Sequence, residues 1–498
     1  MKTLITILFA NYVKKRNQKW INNPIDYQSK TFKYLIKSAS KTAFGRDHKY
    51  NQISNYSDYT KQVPVRDYEG LKPYIEKVIS GEENILWPGK PKYFAKTSGT
   101  TSGAKYIPIT KESIKTHIKS ARNALLNYFL KTRNFKPIRG KHMFLQGSPE
   151  LEKKNGILVG RLSGISAHYV PKLFLTNRKP SWSTNCIEDW EEKVNKIIDE
   201  TVGEKMTIIA GIPSWVQMYF EKIVAKENRS ISQVFPDLNL YVYGGVSYEP
   251  YRSTFDKLFG KSIDTLATFP ASEGFFGYQD EFNKGKTDLL LLLNNDIFYE
   301  FIKTEDFLQG NENRIQLKDV ELNVNYLLII STSAGLWSYN IGDTVKFTSL
   351  QPYRIIVTGR VKHYLSAFGE HVISEEVENA IKIATKQHEV AIREFTVAPN
   401  INPKHGLPHH EWYIEFESMP NDLKSFSKSL DQEMINQNIY YKDLIDGKIL
   451  KNLEVISLKK GSFNEYMKSV GRLGGQNKVP RLSNDRSVAD KLNNLSID

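Results

Sequence analysis

The most informative stretch of this chain is YFAKTSGTTSGAKYIP, which runs from Tyr93 to Pro108. Gly99 and Gly103 let the backbone approach an anion closely, and Lys105 adds a positive charge. Five hydroxyl-bearing residues lie within six positions of this stretch: Thr97, Ser98, Thr100, Thr101 and Ser102. Backbone N–H groups, hydroxyls and one lysine are the groups that a triphosphate requires. The stretch therefore predicts a phosphate-binding loop.

The spacing of this loop differs from that of a Walker A loop. A Walker A loop has four residues between its glycines, followed by Gly-Lys-Ser/Thr. Here three residues separate Gly99 from Gly103, and Ala104 precedes Lys105, which disfavours a P-loop kinase or GTPase. The alternative is a flexible Ser/Gly-rich linker. Apolar, strand-like residues on both sides of the loop favour a position inside a folded domain.

Around this loop, apolar strand-like runs alternate with helical patterns. MTIIAG at 206–211 and LYVYGG at 240–245 predict buried strands, as do DLLLLL, IFYEFI and YLLIIST further along the chain. Pro213 indicates a helix start directly after the first of these strands. Alternation of this kind is typical of an α/β fold.

The length of the chain and a change of pattern near Gly359 predict two domains. A chain of 498 residues is too long for one hydrophobic core. Gly359 ends a strand-like run, and an apolar helical pattern follows Ser374. We therefore expect a large N-terminal domain at 1–358 and a small α+β domain at 359–498.

The charge of the chain indicates an anionic ligand. The formal net charge is +14, which fits either an anionic small molecule or nucleic acid. The basic residues are dispersed and no run of five occurs, so we favour a small molecule and no nucleic-acid partner. Because Cys186 is the only cysteine, an intrachain disulfide is excluded, and a reducing cytoplasm fits.

The sequence predicts no membrane insertion. No stretch of about 18 apolar residues occurs. The apolar run from Thr3 to Val13 lacks a small-residue cleavage site and is followed by basic residues. This pattern favours an amphipathic helix that packs on the domain over a signal peptide.

Three histidines lie close together in KHGLPHHEW, namely His405, His409 and His410. They could suggest a metal site, but no helical i, i+4 pair is present. We predict a Pro/Gly-rich loop before a strand instead. Cys186 has no basic motif beside it and is interpreted as structural. The sequence contains no G-x-S-x-G motif, so the usual hydrolase function is disfavoured.

The phosphate loop resembles the signature of the adenylate-forming superfamily, which includes acyl-CoA synthetases and luciferases. The whole chain resembles, more closely, the bacterial branch of the Gretchen Hagen family of acyl-acid amido synthetases, also called the auxin-responsive promoter family. The segments that carry this resemblance are TAFGRDH, VPVRDYEGLKPYI, GEENILWPGKP, GRLSGISAH, GIPSWVQMYFE, TFPASEGFFG, SYNIGDTVKF and GQNKVPR. The resemblance implies a large adenylate-forming domain of β-sheets flanked by helices, and a small mobile C-terminal domain.

The resemblance also implies roles for a group of nucleotide-binding residues. Phe269 would stack on adenine, Ser272 would lie by the phosphates, and Glu273 would bind Mg²⁺, a hard cation that prefers carboxylates. Asp343 would accept hydrogen bonds from the ribose hydroxyls. The family commonly has arginine where this chain has Asn340, so no role follows for that position. A strand-end turn with a surface glutamate is the alternative for the FPASE segment.

Four further residues receive roles through the resemblance. Gly245 would leave room for the purine, although a simple Gly-Gly turn explains it nearly as well. Arg360 would contact ribose or phosphate and begin a hinge that extends to His363. His168 would line the acyl pocket, with a hydrogen-bonded structural histidine as the alternative. Lys478 would bridge the carboxylate and the α-phosphate and stabilise the charge of the transition state.

The implied activity is that of an AMP-forming acid–amino-acid ligase with ATP and Mg²⁺. Its partners would be a carboxylic acid and an amino acid, and a cytoplasmic monomer is compatible with the sequence. Two alternatives stay open, an acyl-CoA ligase that shares the adenylation step and a nucleotide-binding protein without catalysis. The sequence names neither the acid nor the amino acid.

Overall fold

The computed structural model describes every residue except 1, 101–102, 171–174, 246–247, 249–250, 283–285, 362–364, 366, 369, 371, 447–448, 474–477, 484–485 and 498. Its strands are β1 (Tyr93–Thr100), β2 (Gly103–Ile109), β3 (Lys141–Phe144), β4 (Glu152–Lys154), β5 (Ile157–Gly160), β6 (Arg178–Lys179), β7 (Met206–Ala210), β8 (Leu240–Gly244), β9 (Asp264–Pro270), β10 (Phe275–Gln279), β11 (Leu289–Leu291), β12 (Ile297–Lys303), β13 (Ile315–Gln316), β14 (Asn325–Thr332), β15 (Tyr339–Leu350), β16 (Tyr353–Arg360), β17 (Ala391–Asn400), β18 (His409–Ser418) and β19 (Glu454–Leu458).

The α-helices are α1 (Lys2–Ile21), α2 (Pro24–Ala39), α3 (Ala43–Asp47), α4 (Tyr56–Gln62), α5 (Tyr68–Ile79), α6 (Lys111–Thr132), α7 (Leu162–Ala167), α8 (Trp182–Cys186), α9 (Trp190–Thr201), α10 (Pro213–Glu227), α11 (Ile231–Val234), α12 (Arg252–Phe259), α13 (Thr304–Leu308), α14 (Ser374–Gln387), α15 (Leu423–Gln437), α16 (Ile439–Asp446), α17 (Ser462–Ser469) and α18 (Ala489–Leu492). Among the described residues, no helix combines the length and apolarity that crossing a bilayer requires.

The chain divides into two units, each of which is discontinuous in sequence. The sheet unit comprises residues 1–212, 232–245 and 263–357. The C-terminal unit comprises residues 213–231, 246–262 and 358–498. Two segments that interrupt the sheet unit in sequence, those containing α10 and α12, thus belong to the C-terminal unit.

The sheet unit contains a twelve-stranded sheet in the order β13-β12-β14-β15-β16-β11-β10-β9-β8-β7-β3-β6. The strands β6, β3, β7, β8 and β9 pair in parallel, and the pairs from β9 to β13 with recorded registers are antiparallel. All five residues of β7 are buried, as expected for a parallel strand covered on both faces. The predicted strands and the predicted α/β fold are therefore confirmed.

The phosphate-loop segment belongs to a second, four-stranded sheet in the order β2-β1-β5-β4. The helix α6 follows β2 directly. Thr110 caps its first turn, accepting from the backbone N–H of Ser113 at 3.1 Å and donating to the carbonyl oxygen of Ser333 at 2.8 Å. Together these bonds tie the start of α6 to the loop that follows β14.

The N-terminal helix α1 packs on α6 through a small apolar contact. Ala10 and Val13 are buried against Leu126. Leu4 and Leu8 on the same helix are 63% and 64% exposed. The helix that the sequence predicts for this segment is therefore present, and its apolar residues are only partly covered within the chain.

The C-terminal unit contains a three-stranded sheet in the order β17-β18-β19. β17 and β18 are antiparallel, whereas β18 and β19 are parallel. Its core combines apolar residues of β17, β18, α14 and α15, including Phe395, Trp412, Ile381 and Phe426. His409 and His410 are the first two residues of β18, and not part of a preceding loop as the sequence analysis expected.

Candidate active site

The predicted phosphate loop is the turn of a β-hairpin. β1 and β2 pair from Tyr93 with Ile109 to Thr97 with Lys105, and again at Thr100 with Gly103. The apolar residues of the two strands, Phe94, Ala95, Ile107 and Ile109, are fully buried. The strands on both sides of the loop thus belong to a folded sheet, which argues against a linker between domains.

The structure describes only some of the hydroxyl-bearing residues of the loop. The backbone of Ser98, Gly99 and Thr100 belongs to β1. Their side chains, and Thr101 and Ser102 altogether, lie outside the described residues. The assignment of these residues to phosphate binding therefore stays a prediction.

Lys105 lies on β2 opposite Thr97, at the end of the hairpin that is close to the loop. Its Nζ is 5.4 Å from the centroid of the Tyr68 ring, which is a cation–π contact. The Tyr68 hydroxyl accepts a hydrogen bond of 3.0 Å from the backbone N–H of Tyr106. Burial raises the pKa of Tyr68, so this phenol stays neutral at physiological pH. The contacts hold the lysine stem beside the loop, where the sequence places a positive charge.

Ser272 and Glu273 lie at the tip of a tight turn between β9 and β10. Ala271 donates to the carbonyl oxygen of Gly274 at 2.8 Å, and Gly274 donates back to Ala271 at 3.3 Å. Both tip residues are half-buried. A Cβ atom on Gly274 would lie 2.8 Å from Ile297 Cδ1, so a larger residue at the base of the turn would displace that side chain.

The end of β8 lies beside this turn. β8 and β9 are parallel with Gly244 opposite Thr268, and Thr268 Oγ1 donates to the carbonyl oxygen of Tyr243 at 2.9 Å. A Cβ atom on Gly244 would lie 2.5 Å from the Thr268 oxygen. Gly245 follows, exposed and with a φ of +85° that favours glycine. The carboxyl ends of neighbouring parallel strands thus form one edge, the usual ligand-binding edge of an α/β sheet.

Phe269 is buried at the same edge. Its ring is 7% exposed and packs against Phe276, with ring centroids 5.0 Å apart and the planes 63° from parallel. The contact is an edge-on aromatic pair. The adenine stacking that the resemblance implies for Phe269 therefore stays a prediction.

Asp343 lies in an irregular part of β15. Thr344 pairs with Leu327 and Asn340 pairs with Ile329, so residues 341–343 of β15 face a single unpaired position on β14. Asn340 Oδ1 accepts a hydrogen bond of 2.8 Å from the N–H of Gly342, whose φ is +84°. Bulges of this kind re-aim side chains next to active sites. The family resemblance implied no role for Asn340, but its side chain shapes the turn that carries Asp343.

A buried polar network lies at the start of β15. Glu300 is fully buried and lies 3.1 Å from Arg314, and it accepts a hydrogen bond of 3.0 Å from Ser338 Oγ. Burial raises the pKa of the Glu300 carboxyl, and Arg314 acts in the opposite direction. Ser338 has a φ of +40°, and its carbonyl oxygen accepts from the N–H of Arg66 at 3.1 Å. The glutamate in the apolar run IFYEFI was the only sequence signal for this network.

His168 directly follows α7 and is exposed. Its Nε2 lies 2.9 Å from the carbonyl oxygen of Pro149, and its ring packs edge-on against Trp182. The hydrogen bond fits the structural alternative from the sequence analysis, and a role in an acyl pocket stays a prediction.

Two further predicted residues belong to the C-terminal unit. Arg360 is the last residue of β16 and is exposed. Lys478 is also exposed and lines an open cleft within that unit, together with Tyr251, Glu394 and Arg481. The proposed hinge partners at 362–363 lie outside the described residues.

The structure therefore brings together Gly245, Phe269, Ser272 and Glu273 at one edge of the large sheet. Asp343 lies on the same sheet, where β16, β11 and β10 separate its strand from β9. The sheet thus carries Gly244 at a strand end, the carboxylate of Glu273 beside it and the carboxylate of Asp343 on the β15 bulge. Groups of this kind can bind a nucleotide and its cation.

Comparison with known proteins identifies the fold and the family. A solved structure of the GH3.15 acyl acid amido synthetase matches with a TM-score of 0.80 and 16% identity, covering 97% of this chain and 95% of that one. A 2-hydroxyisobutyryl-CoA ligase, in complex with 2-HIB-AMP, matches with a TM-score of 0.62 and 12% identity, covering 97% and 92%. These likenesses define the fold as that of the adenylate-forming enzymes.

Family models give the closer assignment. Residues 13–184 match the GH3 family N-terminal domain, 290–360 the GH3 family central domain and 375–487 the GH3 family C-terminal domain. The chain belongs to the GH3 family. This membership confirms the resemblance seen in the sequence and the predicted class of enzyme, an acid–amino-acid ligase.

Curated relatives agree with this assignment over nearly the whole chain. The jasmonoyl–L-amino acid synthetase JAR4 of Nicotiana attenuata is 21% identical over 91% of this chain and 90% of its own length. The indole-3-acetic acid-amido synthetase GH3.3 of Arabidopsis thaliana is 22% identical over 91% of this chain and 88% of its own length.

Proposed function

We propose that this chain is an ATP-dependent acyl-acid amido synthetase that joins a carboxylic acid to the amine of an amino acid. The observation that carries the proposal is the match to all three GH3 domains, in family order along one chain. The substrate class proposed is a carboxylic acid in general. Pocket shape selects among acids, so neither jasmonic acid nor indole-3-acetic acid is transferred from the relatives.

The reaction proceeds in two steps. In the first, a carboxylate oxygen of the acid attacks the α-phosphorus of ATP, and the bond to pyrophosphate breaks. In the second, the amine attacks the acyl carbon, an amide bond forms, the amine loses a proton, and AMP leaves. Holding both reactants side by side supplies much of the rate of the second step.

The edge formed by β8 and β9 supports nucleotide binding in this scheme. Gly244 lets the end of β8 pack closely against β9, and the exposed Gly245 follows it with a φ of +85°. Ser272 and the loop residues Ser98 to Ser102 supply hydroxyls and backbone N–H groups for the phosphates, and Lys105 supplies a cation. Asp343 accepts from the ribose hydroxyls, and Arg360 adds a contact to ribose or phosphate.

Glu273 is the residue that would hold a magnesium ion. Glu273 is half-buried at the tip of the tight turn between β9 and β10, and carboxylate oxygens are the ligands that Mg²⁺ prefers. A bound magnesium ion would neutralise charge on the phosphate oxygens. The residues present therefore fit the ion.

Lys478 is the proposed catalytic cation of the first step. Charge accumulates on the α-phosphate as the carboxylate approaches, and a positioned ammonium stabilises it. We assign residues 1–358 to a large domain that binds the acid and ATP, and residues 359–498 to a small mobile domain that carries Lys478. A cytoplasmic monomer is the proposed working form.

Pyrophosphate exchange tests the first step. The full chain is incubated with ATP, Mg²⁺, labelled pyrophosphate and each member of a panel of carboxylic acids. We expect acid-dependent exchange, and a fall of about 100-fold or more in the Lys478→Ala variant. Lys424→Ala, a change of an exposed lysine in the same unit, is the matched control and should exchange like wild type. Exchange that no acid elicits would contradict the proposal.

Product analysis tests the second step. The active acid is incubated with mixed amino acids or, separately, with coenzyme A, and products are identified by mass spectrometry. We expect an acyl–amino acid and AMP with the amino acids. Formation of an acyl-CoA thioester, with no amide, would assign the chain to the CoA ligases instead.

A further inference from the structure

Three side chains of the C-terminal unit converge on one face of its sheet, and we call them the β18–β19 cluster. His409 and Glu411 are two residues apart on β18, so their side chains point to the same face. Glu454 is the first residue of β19 and lies opposite Glu411 in the parallel register. One nitrogen and two carboxylate oxygens of these residues all lie within 4.8 Å of one another.

The ring of His409 is oriented by a backbone contact. Its Nδ1 lies 3.2 Å from the carbonyl oxygen of Leu407, which can accept only if Nδ1 carries the proton. In the neutral ring, Nε2 then carries the lone pair. In metal-binding histidines, a hydrogen bond from the ring nitrogen that does not bind the metal fixes the tautomer.

The Nε2 atom is buried and faces the two carboxylates. The side chain of His409 is 2% exposed, and Nε2 makes no hydrogen bond with any residue that the structure describes. It lies 3.2 Å from Glu454 Oε2 and 3.7 Å from Glu411 Oε1. Ligands about 2.0–2.2 Å from a tetrahedral ion are separated by roughly 3.3–3.6 Å, and the two distances from Nε2 lie just below and just above this range.

The two carboxylates are held in place by other groups. Glu411 Oε2 accepts from Tyr413 and from Arg486, each at 2.7 Å, and Glu411 Oε1 accepts from Asn400 at 2.7 Å. Oε1 is also the oxygen that lies 3.7 Å from His409 Nε2. Lys451 contacts Glu454 Oε1 at 2.5 Å and leaves Oε2 on the side of the ring. Such outer partners orient metal ligands.

We propose that the β18–β19 cluster binds a divalent transition-metal ion, with Zn²⁺ as the best chemical fit. One imidazole and two carboxylates suit this borderline ion, whereas Mg²⁺ and Ca²⁺ prefer oxygen ligands alone. Glu454 is 51% exposed, so water can complete the coordination. Arg486 and Lys451 offset the charge of the two carboxylates. The imidazole is the ligand that favours Zn²⁺ over Mg²⁺ and Ca²⁺.

The bound ion would link β18 to β19 and stabilise the C-terminal unit. The site uses no residue of the nucleotide-binding edge and is independent of the proposed reaction. Local sequence could not reveal it, because the third ligand comes from a distant strand and the first two are spaced for a strand, not a helix.

The test uses the full chain, freed of metal by chelation and measured without nucleotide. Zn²⁺ binding is followed by calorimetry, and Co²⁺ is used as an optical probe of tetrahedral coordination. Two ligand variants are compared, His409→Ala and Glu454→Gln. Because Glu454 lies at the surface, its variant should fold normally, which circular dichroism checks. His405→Ala is the matched control, since His405 is an exposed histidine in the turn before β18.

We expect one Zn²⁺ per chain at this site, a higher midpoint of thermal unfolding with the ion bound, and no competition from Mg²⁺. Each ligand variant should weaken binding by about ten-fold or more, and His405→Ala should bind like wild type. Zn²⁺ binding that both ligand variants retain, or no binding by wild type, would overturn the proposal.

Discussion

Replacing Arg481 with methionine tests how the segment that carries Lys478 is held. Arg481 donates to Glu394, to the carbonyl oxygen of Phe395 at 3.0 Å and to the Tyr251 hydroxyl at 3.2 Å. Its side chain is 10% exposed and that of Glu394 is 13% exposed. Methionine keeps the apolar stem but leaves the carboxylate of Glu394 without its cation.

The expected loss in the free energy of unfolding follows from the burial of this ion pair. Burial disfavours the charged form of Arg481, but Glu394 and Tyr251 outweigh it and raise the pKa of the guanidinium above its ordinary value. A raised pKa means that the pair contributes its full stabilisation below the ordinary arginine value, and thus at neutral pH. Removing one partner of a buried pair costs about 3–5 kcal/mol. Because Tyr251 still donates to Glu394 at 2.9 Å, we expect a value of about 3 kcal/mol.

The same change should disturb the position of Lys478. The backbone of Arg481 accepts from the N–H of Val397 at 2.9 Å, and the neighbouring Pro480 carbonyl accepts from Thr396 at 2.7 Å. The segment is thereby attached to β17. We expect lower pyrophosphate exchange in the variant, with a larger effect on the maximal rate than on the apparent affinity for ATP.

Calorimetry of the full chain measures the stability effect. A loss of about 3 kcal/mol should lower the midpoint of the transition by roughly 6–12 °C for a unit of this size. Arg472→Met, a change of an exposed arginine in the same unit, is the control. A midpoint within about 2 °C of wild type, with normal exchange, would refute the reasoning.

Three further changes test the sheet unit. Asn340→Ala removes the acceptor for Gly342 and should raise the KM for ATP about five-fold, for a bond worth about 1 kcal/mol, whereas Asn340→Asp should restore it in steady-state assays. Gly244→Ala places a Cβ atom 2.5 Å from the Thr268 oxygen and should destabilise the chain by about 1–3 kcal/mol in denaturant unfolding, with weaker nucleotide binding. Burial lowers the pKa of His117 to about 4, so stability should be full above its ordinary value of 6.5 and fall by about 3 kcal/mol as the pH drops toward 4. A His117→Leu variant should lack this part of the pH dependence, and an unchanged profile would contradict the assignment.

The elements of the fold were largely predictable from local sequence. Runs such as MTIIAG and LYVYGG are almost entirely apolar, a pattern that favours strands buried on both faces. The FPASE segment was recognisable through its resemblance to the superfamily's run of an aromatic residue, small residues and a glutamate. The family assignment rested on segments of this kind in a fixed order.

Long-range pairing was not predictable. The segments at 213–231 and 246–262 leave the sheet unit and pack with the C-terminal unit, and no local pattern records which core a helix joins. Arg393, for example, contacts Glu221 at 3.0 Å across a long stretch of chain. A single boundary near Gly359 was predicted, because sequence patterns record only changes along the chain.

The details of the site also depend on pairing between strands. Asn340 gained a role because two strands of unequal length face each other at the β15 bulge. Glu300 carried a weak signal as a charge within an apolar strand, but its partner Arg314 could not be identified without the fold. A side chain's neighbours across a sheet are set by register, which local sequence leaves undetermined.

The central claim is that the chain activates a carboxylic acid as an acyl-adenylate. The most direct measurement uses an active acid labelled with oxygen-18 in its carboxylate, together with ATP and an amino acid, and follows the label by mass spectrometry. We expect one labelled oxygen in the phosphate of each AMP released, because the carboxylate oxygen that attacks phosphorus stays there when the amine displaces AMP. Unlabelled AMP, or label in inorganic phosphate with ADP as the product, would contradict the claim.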